Sequence, residues 1–250
     1  MRHLLLTLAA LAFGMTTAIA ADEPIKLLII TGDEYHDWQA TTKALKGFLS
    51  KDGKIDVSVT TTPAKDLTDE NLAKYDVLLL NYKDTAKGTD ETKWSDANKA
   101  ALLKAVHDGK GLVIYHFASS AFTNPNWVEF EKIVGGWRTQ GFHGPAHEFK
   151  VKKTAEKHPI SEGLPNEFDH NLDELYQNSM MVPGAVVLAT AYSDPDKPKG
   201  TGKDEPIIWV NQYGKGRVYV NALGHDPNAI SDPNYQAWMR HGIEWVGGMR

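Results

Sequence analysis

The chain has 250 residues, no cysteine, 27 Lys and Arg against 32 Asp and Glu, and a formal charge of −5. The absent cysteine excludes disulfides, thiolate metal sites, thiol nucleophiles and lipid attachment at a signal-peptide cysteine. An acidic balance without basic runs argues against a nucleic-acid partner, because clustered Lys and Arg supply most of that affinity. Residues 1–20 are predicted to be a cleavable signal peptide. Met1-Arg2-His3 gives a positive start, residues 4–15 an apolar run, and Ala18-Ile19-Ala20 a small-residue cleavage pattern. That run is too short to span a bilayer, and no later stretch approaches the ~18 apolar residues a spanning helix needs. The mature chain, residues 21–250, is therefore expected to be periplasmic or secreted and not membrane-spanning. Cleavage removes Arg2, so −5 becomes −6.

Along the mature chain, residues 26–31 read as a buried strand and 38–49 as an amphipathic helix. Residues 55–60 alternate like a strand, 67–72 form a short helical segment, and 76–81 another apolar strand. A longer helix is expected over 94–107, closed by Asp108-Gly109, then a buried strand at 111–115 and a helix over 127–134 ending at Gly135-Gly136. Strands alternating with helices argue for βαβ units and a parallel sheet. Residues 137–180 are rich in Gly, Pro, His and acidic side chains, with only a weak strand signal at 147–151. Residues 185–192, 206–213 and 217–222 look like a meander interrupted by an exposed loop at 193–205, and 235–246 is a closing helix. No linker splits the chain, so one domain is expected over residues 21–250.

Three apolar runs end in or near a histidine: Leu27-Leu28-Ile29-Ile30 before His36, Gly111-Leu-Val-Ile-Tyr before His116, and Arg217-Val-Tyr-Val-Asn-Ala-Leu-Gly before His225. Open α/β sheets bind ligands outside the carboxyl ends of their strands. Imidazoles delivered there from three distant points are expected to converge. His36 also has a bland reading, since it precedes a helix that Asp37 can cap. Gly224 allows close backbone approach beside His225. Four-residue spacing makes His143 and His147 a chelate only on a helix, and Gly144-Pro145 argues against one. His147 is better explained as an edge-strand residue. His107, His158, His170 and His241 receive no role. In an extended segment neighbouring side chains face opposite ways, which pairs Glu174 with Tyr176 toward the site and turns Asp173 and Leu175 away. Arg138 and Gln140 are candidates for binding sugar hydroxyls. Trp38, Trp127 and Trp137 are candidates for stacking on a pyranose, with core or rim packing as the commoner fate of a tryptophan.

These residues together resemble the ThuA-like (trehalose utilization) family. The resemblance rests on Gly-Asp-Glu-Tyr-His36-Asp-Trp, Gly-Lys-Gly-Leu-Val-Ile-Tyr-His116 and Gly135-Gly136-Trp137 leading to His143. It continues through His158-Pro159-Ile160, Asp173-Glu174-Leu175-Tyr176 and Gly224-His225. It implies an α/β flavodoxin-like, glutamine amidotransferase-like three-layer sandwich with a mostly parallel sheet. His116 then stands where the amidotransferases carry their catalytic Cys, so thiol-based glutamine hydrolysis is excluded. The resemblance further implies a carbohydrate enzyme, a lyase or hydrolase acting on 3-keto-glycosides or related disaccharides. The alternative is a non-catalytic sugar-binding module.

Two chemistries fit. A divalent transition metal, Zn²⁺ or similar, would be held by His116, His143, His225 and Glu174. Metal-free acid–base catalysis would use His116, Glu174, His36 and Tyr176. Three converging imidazoles favour the metal. The expected partner is a small carbohydrate, with no nucleotide cofactor; a homo-oligomer is left open.

Overall fold

A computed structural model describes residues 23–249 except Glu34, Ala86, residues 124–126 and 138–141, and the side chain of Trp137. The predicted signal peptide, Arg138 and Gln140 thus lie outside the described residues.

The first half alternates β1 (Ile25–Ile30), α1 (Trp38–Leu49), β2 (Ile55–Thr60), one-turn helices α2 (Pro63–Asp66) and α3 (Asp69–Leu72), β3 (Val77–Leu80), α4 (Asp96–His107), β4 (Gly111–Tyr115) and α5 (Val128–Val134). The second half contains β5 (Gly136–Trp137), β6 (His147–Lys153), β7 (Glu167–Asp173), β8 (Met180–Met181), β9 (Val186–Ser193), β10 (Lys203–Tyr213) and β11 (Gly216–Asn221). Helices α6 (Pro227–Ile230) and α7 (Pro233–Val246) close the chain. Local chemistry sets the helix starts. The Asp37 side chain accepts from Ala40 N at the head of α1, Ser95 and Asn98 form a capping box on α4, and Asp232 caps α7 ahead of Pro233.

Among the described residues, nine strands form one sheet in the order β2-β1-β3-β4-β11-β10-β9-β6-β7. The first five are mutually parallel, and each later neighbour is antiparallel. β5 and β8 pair as a separate ribbon. Period-2 alternation splits the central strands between two cores. Leu27, Ile29, Leu79 and Val113 pack with α1 and α7 residues such as Leu45, Trp238 and Ile243. Leu28, Ile30, Leu80 and Ile114 pack on the other side with Leu102, Val106, Phe130 and Ile133. The result is an α/β three-layer sandwich whose central strands are buried on both faces.

Of the segment expected at 67–72 only Asp69–Leu72 is helical, as α3, with α2 preceding it at Pro63–Asp66. β7 was missed, for a physical reason. Its inward positions are Phe168, His170 and Asp173, while Leu172 is 48% exposed. An apolar-in, polar-out template reads that pattern backwards. The strand carries a register shift against β6 between His147 and Phe149, so its alternation is also broken.

Candidate functional site

Strand direction brings the candidate residues together. β1, β4 and β11 are parallel, so His36, His116 and His225 leave the same sheet edge. Four successive antiparallel steps separate β11 from β7, which therefore runs the same way as β11 and delivers Glu174 to that edge. β6 runs oppositely, so its start, preceded by His143, lies there too.

All four imidazoles surround the Glu174 carboxylate. His143 Nε2 lies 3.3 Å from Oε2, His116 Nε2 3.5 Å and His36 Nε2 4.0 Å, while His225 Nδ1 is 3.3 Å from Oε1. Donor atoms of His36, His116, Glu174 and His225 all lie within 4.8 Å of one another. Sequence placed His143 among the ligands and His36 with the acid–base residues at the rim. In space His36 joins the tight set, and His143 stands against the same carboxylate with its side chain 34% exposed. Tyr176 points inward as the alternation argument expected. Its ring stacks on His116 and its hydroxyl is 3.0 Å from His116 Nε2.

His116 occupies a strained turn, with φ at +43° immediately after β4. A non-glycine residue there costs on the order of 1–3 kcal/mol, and such strain clusters at functional sites. A contact of 2.8 Å from its Nδ1 to the Ala222 carbonyl holds the ring. That carbonyl only accepts, so Nδ1 carries a proton and Nε2 is the nitrogen turned toward the centre. The Gly144 carbonyl, 2.8 Å from His143 Nδ1, sets the same tautomer there. Both Nε2 atoms thus face the Glu174 carboxylate. His36 Nε2, His225 Nδ1 and Glu174 Oε2 are each shielded from solvent without a hydrogen-bond partner among the described residues.

A divalent metal fits this donor set of three imidazoles and one carboxylate. Tetrahedral ligands about 2.1 Å from Zn²⁺ stand roughly 3.4 Å apart, so side-chain shifts of about an ångström would close the cage. Charge follows the same logic. Burial, then the neighbouring His116 and His225, push His36 down to about 3, which keeps it neutral. Burial opposes ionisation of Glu174, but His116 and His225 beside it hold the carboxyl well below the usual range. Glu174 in turn raises His225.

Asp173 is the hinge of the site and was undervalued from sequence. Its Oδ1 accepts from the backbone N–H groups of Glu174 (2.7 Å) and His225 (3.0 Å), and its Oδ2 from Gly224 N (2.7 Å). Gly224, at φ +107°, is also required inside the protein; a Cβ there would lie 2.7 Å from the Tyr115 ring. Trp38 is the half-buried first residue of α1, two residues beyond His36. Trp127 stacks on Phe130 and meets Phe122 edge-on, which makes it packing rather than a sugar platform. Sequence also missed an aromatic wall: Phe117 packs edge-on to His36, with Tyr35, 61% exposed, resting on it. His147 sits in β6 with Nδ1 against the Pro145 carbonyl, and His158 caps the turn at Ile160.

Fold and site together define an α/β protein of the class I glutamine amidotransferase-like type, with a histidine–glutamate centre at the carboxyl edge of its sheet. The chain belongs to the ThuA family, described as trehalose utilisation, whose model matches residues 26–246. A ThuA-like protein from Parabacteroides merdae is similar at 29% identity over 91% of each chain, with a TM-score of 0.79. One from Bacteroides uniformis shares 22% identity over 92% of this chain and 94% of its own, with a TM-score of 0.74. A cytoplasmic protein of Salmonella typhimurium, 15% identical over 89% of this chain and 99% of its own, has the same fold at a TM-score of 0.63. No curated protein matches the chain.

Proposed function

We propose that the chain is an exported enzyme of sugar catabolism that cleaves 3-keto-glycosides or related disaccharides by metal-assisted elimination, with water addition completing a net hydrolysis. The observation that carries this reading is the convergence of His36, His116 and His225 on the Glu174 carboxylate, with donor atoms all within 4.8 Å of one another and His36 Nε2, His225 Nδ1 and Glu174 Oε2 buried without a hydrogen-bond partner among the described residues. Membership of a trehalose-utilisation family supports the sugar class, and the sequence of residues 1–20 supports export.

A divalent ion held by His36, His116, His225 and Glu174 would polarise the substrate's ketone oxygen and so acidify the neighbouring C2 proton. His143 is the partly exposed imidazole at the mouth. The Gly144 carbonyl fixes its Nδ1 proton, which leaves Nε2 free to accept the C2 proton. The C2–H electron pair becomes the C1–C2 double bond as the glycosidic C1–O bond breaks. The departing oxygen then takes the proton back from His143. Phe117 and Tyr35 form an aromatic wall beside His36.

The test compares a 3-keto-glycoside with its unoxidised parent, using untagged protein whose metal content is measured by elemental analysis. Stoichiometric metal and cleavage of the keto form alone are expected. The His116→Ala variant should keep its circular dichroism spectrum and lose turnover by about 10²–10⁴-fold. Wild-type turnover in that variant, or equal cleavage of both glycosides, would remove this mechanism.

A further inference from the structure

His170 lies on β7, four residues before Glu174, fully buried and away from the centre. Its Nε2 is 2.8 Å from Asp173 Oδ2 and its Nδ1 2.9 Å from Asp232 Oδ2. The rest of the ring meets Phe149, Phe168 and Tyr235, none of which offers the ring nitrogens an acceptor. Both nitrogens therefore face carboxylates that only accept, and both must donate. Asp173 then has each oxygen doubly engaged: Oδ1 by Glu174 N and His225 N, Oδ2 by Gly224 N and His170.

We propose that His170 is a positioning residue for the Glu174 centre, acting through Asp173 to fix where Glu174 and His225 stand. Two of the four residues in the tight donor set are anchored by backbone N–H groups that share this one carboxylate. Without the His170 N–H behind it, Asp173 Oδ2 loses one of its two donors in a buried setting, and the carboxylate is freer to turn. On the far side Asp232 holds the ring with Oδ2 and caps α7 with Oδ1, which accepts from Asn234 N at 2.7 Å. The orientation of the centre is thus referred back to the helix that packs on β4 and β11. Groups that orient metal ligands typically change affinity by about 10–100-fold when altered.

The inference rests on the metal reading for one of its two readouts. Zinc is titrated into the wild type, His170→Gln and Asp232→Asn by calorimetry, with thermal unfolding measured alongside. Gln can donate to one carboxylate but sets its own oxygen against the other, and zinc binding should weaken about 10–100-fold. Asn at 232 can still cap α7, and a neutral His170 can still donate to Asp173, so a smaller, several-fold loss is expected. This variant carries the test if His170→Gln fails to fold. Lower melting temperature with unchanged zinc affinity in the folded variants overturns the proposal, because that is what a purely structural residue would do. If the wild type takes no zinc, the metal reading fails instead. A crystal structure of the folded variant then decides: displacement of the 3.3 Å Glu174–His225 pair supports positioning, and an unmoved pair overturns it.

Discussion

The two halves of the sheet are held by different forces. In the parallel half, β1, β3, β4 and β11 bury both faces; Leu27, Ile29, Leu79 and Val113 are fully excluded from solvent on one side, as are Ile30, Leu80 and Ile114 on the other. In the outer antiparallel half, β6 and β7 bury one face only. Besides Phe168 in the core, β7 is joined to the rest through polar and ionic contacts: Asp173 to Gly224 and His225, His170 to Asp232, and the Asn171 side chain to the Asn228 carbonyl. The parallel half supplies three imidazoles on a rigid base. The antiparallel half supplies the carboxylate and His143 on a thinner one. The centre exists only where the two meet.

Replacing matched leucines should show that contrast most strongly. Leu79→Ala in β3 removes a side chain packed on all sides and is expected to cost about 2–5 kcal/mol in chemical denaturation. Leu172→Ala in β7 removes a half-exposed one and should stay within roughly 0.5 kcal/mol. Equal losses would mean that the outward face of β7 is as tightly packed as the central strands.

A second, intermediate effect separates the halves by pH. Burial disfavours a charged His170, but its hydrogen bonds to Asp173 and Asp232 outweigh that and lift it to about 9. A histidine raised in the folded state stabilises fully below its unfolded value near 6.5 and loses that stabilisation as pH rises through 9. The loss is on the order of 3 kcal/mol. Amide exchange should therefore accelerate in β6 and β7 between pH 7 and 10, after correction for intrinsic rates, while β1, β3 and β4 stay protected. Acceleration spread evenly across the sheet, or none, would break the distinction.

The same division explains what could be read from sequence. Where burial on both faces writes a strand as an unbroken apolar run, as in Leu27-Leu28-Ile29-Ile30, the strand and the histidine beyond it were legible together. The helix at Trp38–Leu49 and the strands at Ile55–Thr60 and Gly111–Tyr115 fall where the periodicity puts them. β7 was not legible, because its buried positions include a histidine and an aspartate that satisfy each other across the fold, and no local pattern announces such a pair. The same gap hid Asp173 and His170: alternation correctly turned Asp173 away from the pocket, but only tertiary contacts show that it turns toward the backbone of two other site residues. The exchange of His36 for His143 in the tight donor set is likewise set by loop paths, which residue spacing does not encode.

The smallest predicted effect tests the seam itself. The Tyr176 hydroxyl, from the antiparallel half, is 3.0 Å from Nε2 of His116, from the parallel half. With Nδ1 committed to the Ala222 carbonyl, that Nε2 is a pure acceptor, so the phenol donates. The lone pair that takes this proton is the one a metal would need. Metal entry must therefore break a hydrogen bond with a net value of about 1 kcal/mol, roughly fivefold in affinity. Tyr176→Phe keeps the ring stacked on His116 at 4.6 Å and removes only the competitor. Zinc affinity in calorimetry should hold or tighten by up to about fivefold, with stability changing by about 1 kcal/mol or less. A clear weakening of zinc binding would show that the hydroxyl supports the bound centre, and the competition across the seam would have to be abandoned.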